Sequence, residues 1–437
     1  MSITIQSNTD RVLELADLPG VLGPGKTAVV PAMTPDFIHA VDLGLLLVPS
    51  GAEPPAGLPP VVFDHRYPHV LPIVAARAYY VRVLRGQGAF HDGTRARNFV
   101  AYYGDGAGMS CAFSDDGLTW DKEKKVTGIA ANGYHVVCAM ETSRRMRILY
   151  WNPDVPNQPY AMAGLRTAVC DPTINPAAFT GDIPCAGNLV TEGAAQVWNR
   201  GHYGPSFLWY NPLPSSIPGR PFTWRWAMLF IATTGGNDSL GLGYSDDAVR
   251  WNLFGNGPVL SGLVGPQPWE GANGYVSSAH VERLEDGRWW MLYSGGAAGN
   301  AGIGYAWSWD RIHWRKADVN PVFRNGRGPF LERCYTPCLV RDADGSLLLY
   351  RSGKDAAAYK VFVSRLRVPV LEWRDLLGTD RLGQGLAPRE AILRGIGTTA
   401  QRNAAIPVPS LGDEWFNTSL AGGGKWEKHT GTIWKQT

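Results

Sequence analysis

Long apolar runs are missing from this chain. No stretch of the 437 residues approaches the roughly 18 apolar residues that a membrane-spanning helix needs, so no membrane insertion is expected. The opening residues, MSITIQSNTDRVLEL, have no basic segment followed by an apolar one, which predicts a protein made and folded in the cytoplasm without a signal peptide. Charge is sparse and balanced: 41 basic against 38 acidic residues, a net charge of +3. That excludes a polyanion-binding stripe, and no nucleic-acid partner is expected. Lysine supplies only ten of the 41 basic residues. Arginine favours bidentate carboxylate contacts, although a GC-rich coding sequence gives the same bias.

Six cysteines (111, 138, 170, 185, 334, 338) contain no CxxC and no Cys/His metal spacing, so neither metal nor cofactor is expected. Cys334 and Cys338, four apart on one strand, are separated by roughly 13 Å, too far to pair. Cys170 and Cys185 flank a Pro-rich loop and could pair, with free thiols as the default. No phosphate loop, HExxH or GxSxG occurs.

What is present is strand texture. Residues 268–323 read as one four-stranded unit: Tyr275–Arg283, Arg288–Ser294, Gly302–Trp307 and a short strand near His313–Arg315. Aromatic and β-branched runs alternate there with Gly/Asp/Asn turns, and no helical period intrudes. Such a unit cannot cover both its faces and needs neighbours.

The neighbours are written in a repeated corner. Ser114-Asp115-Asp116-Gly117-Leu118-Thr119-Trp120 recurs as Ser245-Asp246-Asp247-Ala248-Val249-Arg250-Trp251 and as Ser308-Trp309-Asp310-Arg311-Ile312-His313-Trp314. The Ser and the third-position Asp can fold the corner through side-chain to backbone hydrogen bonds, and the closing Trp can plug the gap between sheets. A second repeat opens each unit: Tyr80, Tyr134, Tyr203, Tyr275 and Tyr335 stand 54, 69, 72 and 60 residues apart. Five openings imply five blades. The fold class expected is all-β, a five-bladed β-propeller with small N-terminal and C-terminal β-rich appendages. The last unit holds too few strands, so an outside segment must close the ring, with Val61–His65 as the candidate.

The corner, the Asn-Gly-Pro-Val and Asn-Pro-Val tails at 256–259 and 320–322, and the strand texture of 289–294 and 347–352 resemble the five-bladed propeller glycosidase superfamily of arabinanases, fructosidases and mannoside phosphorylases. The resemblance covers roughly residues 75–370. It implies carboxylates at the axial ends of the inner strands, two of them flanking a glycosidic bond. Here those openings carry mostly amides, phenols, an imidazole and a guanidinium. Glu270, in a Glu-Gly pair resembling the superfamily's general-acid motif, and Glu332 are the catalytic candidates. The Asp-Pro signatures of the other two acids are absent from the matching positions.

The chain divides into an N-terminal attachment module with a Pro-rich linker (1–60), the propeller (61–370), a connector (371–396) and a C-terminal module (397–437). In that last module Gly397-Thr398-Thr399-Ala400-Gln401-Arg402, Trp415-Phe416-Asn417-Thr418 and Trp434 resemble the short C-terminal piece of phage tail-fibre and tail-spike proteins.

Sugars offer apolar CH faces to aromatic rings and hydroxyls to amide and guanidinium groups. Trp198, His202, Tyr203, Trp269, Asn273, Tyr275, Arg333 and Tyr335 are therefore the candidate glycan-binding residues. The combined expectation is a homo-oligomeric recognition protein of a phage or phage-like particle, a virion component made in the bacterial cytoplasm. Its partners would be a bacterial surface polysaccharide and other particle proteins. An active glycoside hydrolase or phosphorylase is the alternative, and the acid pattern leans away from an enzyme.

Overall fold

The computed structural model describes residues 3–50, 71–72 and 78–366, apart from 9–11, 16–17, 19, 43–44, 158, 192–197, 235–236, 263–266, 271–273, 284–286, 297–301, 318–319, 326–331, 343–346 and 355–357. Beyond these it describes 394–397, 414–417, 425–429 and 434–436. Two compact units emerge, one of residues 1–59 with 72–363, the other of 60–71 with 364–437.

Five sheets dominate the first unit, antiparallel except for the parallel pairing of Ala186–Gly187 with Arg250 and Trp251 in the third. The first strands of blades one to five are Tyr79–His91, Tyr134–Thr142, Gly201–Tyr210, Tyr275–Arg283 and Arg333–Arg341. Each packs beside the first strand of the next blade, and the fifth packs beside the first, so the sheets close a ring. The protein is an all-β, five-bladed propeller. Blade five takes its fourth strand from Leu71–Pro72, ahead of blade one in the chain. An outside segment thus closes the ring; the expected candidate, Val61–His65, lies outside the described residues.

Between adjacent blades the apolar faces interlock. Val83, Phe99, Leu348 and Val361 fill the joint of blades five and one, while Met228, Trp226, Leu149 and Trp251 fill that of two and three. All six cysteines are free thiols, Cys170 and Cys185 included.

The corner repeat folds as its residues dictate. In blade one Ser114 Oγ accepts from the Gly117 N–H (2.9 Å), and Asp116 Oδ1 accepts from Leu118 and Thr119 (2.8 and 2.7 Å). Ser245 with Asp247 and Ser308 with Asp310 repeat the pattern within about 0.2 Å. Each corner puts its fourth residue at positive φ: Gly117 (71°), Ala248 (60°) and Arg311 (65°). Trp251 is fully packed, whereas Trp120 and Trp314 are half-buried against neighbouring cores.

A second device recurs at the ring's centre. Each first strand bulges near its start, and in four blades one residue there is left-handed: Tyr80, His135, Gly204 and Thr336. The residue just before it is an aromatic: Tyr79, Tyr134, Tyr203 and Tyr335. The first-blade equivalent of the tyrosine repeat is therefore Tyr79, one residue before the position read from sequence. The neighbouring blade satisfies the bulged backbone. Ser352 Oγ accepts from the Tyr80 N–H (3.0 Å), and Ser294 Oγ accepts from the Thr336 N–H (2.7 Å).

The N-terminal residues form a three-stranded sheet (Thr27–Val30, Ile3–Ser7, Leu46–Ser50) under a helix, Pro35–Asp42. It is built onto the propeller rather than held away from it. The Val48 N–H donates to Asp310 Oδ2 of the blade-four corner (2.8 Å), and Arg283 pairs with Asp42 (2.5 Å). Trp309 enters the small sheet's own core. The Pro-rich stretch 51–60 lies outside the described residues. In the second unit, Arg394–Gly397, Glu414–Asn417, Lys425–His429 and Trp434–Gln436 form one sheet in chain order, its first pair parallel.

Trp251 locks the joint of blades two and three. Trp251→Ala should lower unfolding stability by about 3–5 kcal/mol in denaturant titration. A loss below about 1 kcal/mol would show that the indole is no core plug.

Candidate functional site

The beginnings of the first strands converge at one end of the central channel. An arc of rings runs round it. Tyr80 stacks on Tyr134 (5.6 Å between centroids), Tyr134 meets Trp151 edge-on (5.3 Å), and Trp151 meets Tyr203 (5.5 Å). The bulges position these rings, because a left-handed residue re-aims the side chains on either side of it.

Charge completes the circle. Asp238, which opens the third strand of blade three opposite Thr233, acts electrostatically on Tyr80, Tyr203 and Tyr275. Arg333 acts on Tyr80, Tyr275 and Tyr335. Asp238 is 8% exposed, and burial pushes its carboxyl up to about 7, against an opposing hydrogen bond from Thr233. Burial likewise raises the phenols of Tyr80, Tyr134, Tyr203 and Tyr275, so all four are neutral donors at ordinary pH.

Below the mouth the channel is plugged. Arg82 of blade one donates to the Pro337 carbonyl (2.8 Å), to the Ala279 carbonyl (2.9 Å) and to the Ser206 carbonyl, on three other blades. His135 of blade two shares a hydrogen bond with the Pro205 carbonyl (3.2 Å), and burial pushes its imidazole down to about 3. Beyond the plug, the far end of the channel holds a cavity of about 330 Å³ lined by Arg82, Cys138, Phe207, His280, Glu282 and Cys338. His280 Nε2 meets Glu282 Oε1 there at 3.1 Å. Burial alone would raise the Cys338 thiol, but hydrogen bonding and charge from His280, with Arg82, hold it below its ordinary range.

The residues singled out from sequence fall into distinct places. Tyr203 and Tyr275 stand where the charge of Asp238 reaches them, and Arg333 where its charge reaches Tyr275. Tyr335 is 2% exposed and belongs to the wall. Trp198 donates to the Asn256 carbonyl (3.1 Å) and lies over Phe230, while Trp269 donates to Gln267 Oε1 (2.9 Å) and packs against Tyr293. Both are held within their blades. His202 is buried: it receives the Gly204 N–H (3.1 Å), donates to the Ala161 carbonyl (3.0 Å), and burial pushes it down to about 4. That is a satisfied, neutral structural histidine. Asn273 lies outside the described residues.

The two acids put forward as catalytic also separate. Glu270 is 0% exposed and sits inside blade four. Its carboxylate is shared by Lys316 Nζ (2.7 Å), the Tyr293 hydroxyl (3.0 Å) and the Gln267 N–H (2.9 Å). Glu332 is exposed and paired with Lys354. The acid that does reach the mouth, Asp238, was missed from sequence. It follows Gly235-Gly236-Asn237, where an Asp reads as an ordinary hairpin-turn residue. Trp151 and Arg82 were missed for a similar reason, since each sits in ordinary strand sequence.

No protein-family model and no curated protein matches this sequence. Solved structures do match. One, a glycoside hydrolase, is 13% identical with a TM-score of 0.52, covering 82% of this chain and 100% of that one. A thermostable family-43 glycoside hydrolase aligns at 15% identity and TM-score 0.48 over 69% and 93% of the two chains. An endo-arabinase from Bacteroides thetaiotaomicron is 14% identical with a TM-score of 0.46, over 69% of this chain and 98% of that one.

Asp238 generates a pH signature. Its folded value lies above its unfolded value of 3.8, so the folded state holds the extra proton between the two, and stability falls as pH rises from about 4 to about 7. Asp238→Asn should flatten that fall and raise stability near pH 8 by roughly 2–4 kcal/mol. Denaturant titrations at about pH 5 and about pH 8 check it; an unchanged pH slope would place the carboxylate in water. At identities this low the likeness is one of fold, and the protein has the fold of the glycosidase-like β-propellers.

Proposed function

We propose that the axial mouth binds a carbohydrate without cleaving it, and that the protein is a recognition component of a phage or phage-like particle. One observation carries the first half. Glu270, the acid that the sequence pattern nominates, is locked inside blade four by Lys316 and Tyr293, whereas the mouth offers rings, phenols and Arg333. Stacking faces beside neutral and cationic donors are sugar-binding chemistry. The second half rests on the likeness of 397–437 to phage fibre and spike ends, a segment whose three short strands share one sheet with Arg394–Gly397. In this reading that sheet joins the propeller to other particle proteins, and the mouth faces a bacterial surface polysaccharide.

A hydrolase reading is favoured by Asp238. A carboxyl near 7 is protonated often enough at neutral pH to serve as a general acid. It would need a second carboxylate across the bond, with Glu332 on the blade-five side as the candidate.

Affinity measurements on point variants separate the two. Tyr275→Ala and Arg333→Ala should weaken polysaccharide binding about ten- to a hundredfold. Glu270→Gln should leave affinity nearly intact while lowering stability, since it breaks a buried ion pair. If polysaccharide releases new reducing ends that vanish in Asp238→Asn, the hydrolase reading replaces this one.

A further inference from the structure

Away from the mouth, the blade-four corner buries a charge that, among the described residues, no group pairs directly. Arg311 is 8% exposed. Its guanidinium lies between the Phe222 ring (3.7 Å) and the Trp289 ring (4.6 Å). Among the described residues that guanidinium has no hydrogen-bond or ion-pair partner, and its Nε is an orphaned donor. The corner does not require it: the equivalent positions are Gly117 and Ala248, at nearly the same φ. A long cation placed where glycine or alanine suffices needs another reason, because an unpaired buried charge is costly.

Arg311 lines a groove of about 590 Å³, a volume suited to a small ligand. Phe222, Trp224, Trp209 and Trp289 wall it. The indole N–H groups of Trp209 and Trp289 are buried and also lack acceptors among the described residues. Among the described residues Arg220 and Arg283 line the groove too, against one carboxylate, Asp42, which Arg283 engages at 2.5 Å and whose charge also acts on Arg311. Burial brings Arg311 down to about 10 from 12.5, so it stays cationic at neutral pH. Trp209 and Arg283 stand at the ends of the first strands of blades three and four, while the mouth is built from their beginnings.

We propose that this groove binds the carboxylate of an acidic sugar residue, a hexuronate, with the Arg311 guanidinium as donor and the aromatic walls as stacking faces. A planar guanidinium matches a carboxylate in a two-point contact. Flat rings match the CH face of a sugar, which a bare inorganic anion lacks. The site is distinct from the axial mouth, so a particle protein of this kind would hold an acidic glycan at two places.

Calorimetric titration of the full chain with sodium D-glucuronate and D-galacturonate tests the assignment, with D-glucose, D-galactose and inorganic phosphate as comparison ligands. At least one uronate should bind, with its neutral counterpart and phosphate at least about tenfold weaker. Arg311→Met should weaken that binding at least about tenfold without lowering the unfolding temperature, because it removes an unpaired buried charge. Uronate binding that survives Tyr275→Ala belongs to the groove, and its loss there would reassign it to the mouth and overturn the proposal. So would an absence of uronate binding by the wild type, equal binding of phosphate or of the neutral sugar, or binding that persists in Arg311→Met. A lower unfolding temperature in that variant would make Arg311 a structural stacking residue and overturn it equally.

Discussion

Arg82 holds the ring at its axis. One guanidinium from blade one reaches carbonyls of blades three, four and five, and His135 ties blade two to blade three beside it. Inner strands of a propeller run side by side without sharing a hydrogen-bonded ladder, so their facing carbonyls need donors from elsewhere. A single planar group with several N–H bonds supplies them at the point where the blades come closest. Removing it would leave buried acceptors unmet, each costing about 1–3 kcal/mol. The plug also divides the channel, setting the aromatic mouth apart from the cavity that holds Cys338 and His280.

The two repeated devices work outward from that hub. Bulges next to the axis re-aim the side chains beside them, Tyr80, Tyr134 and Tyr203 among them, and Ser294 and Ser352 of adjacent blades satisfy the bulged backbone at Thr336 and Tyr80. Corners at the rim, closed by Ser and Asp, seat a tryptophan against the next sheet. The corner was legible in sequence as spacing, because a local turn needs particular residues at fixed offsets, while the tyrosine spacing marked the strand starts without the bulge. The corner of blade four does more than its equivalents. Asp310 there closes the turn with one oxygen and uses the other to accept from Val48 and to meet His313 at 2.7 Å, fixing the N-terminal sheet on the propeller.

Less legible were the contacts between residues far apart in sequence. Trp198 and Trp269 look like glycan platforms in a strand-by-strand reading, and only packing reveals that each is held in its own blade. Glu270 has the look of a catalytic acid until Lys316, 46 residues later, is seen to reach its carboxylate. Conversely, Asp238 owes its significance to the tyrosines of three blades on which its charge acts, and Arg311 to a groove that blades three and four share with Asp42 and Leu45. Burial and charge neighbours at such junctions arise from long-range closure, which local pattern does not encode. The first-blade tyrosine was displaced by one residue because Tyr79 and Tyr80 are adjacent, and the bulge alone decides which is equivalent to Tyr134.

A mouth that holds a sugar chain and leaves it whole is the centre of the proposed function. Size-exclusion chromatography of bacterial surface polysaccharide after prolonged incubation with stoichiometric protein examines both halves together. Protein should co-elute with polysaccharide of undiminished chain length. Polysaccharide shortened with time, or polysaccharide that elutes free of protein, would contradict it.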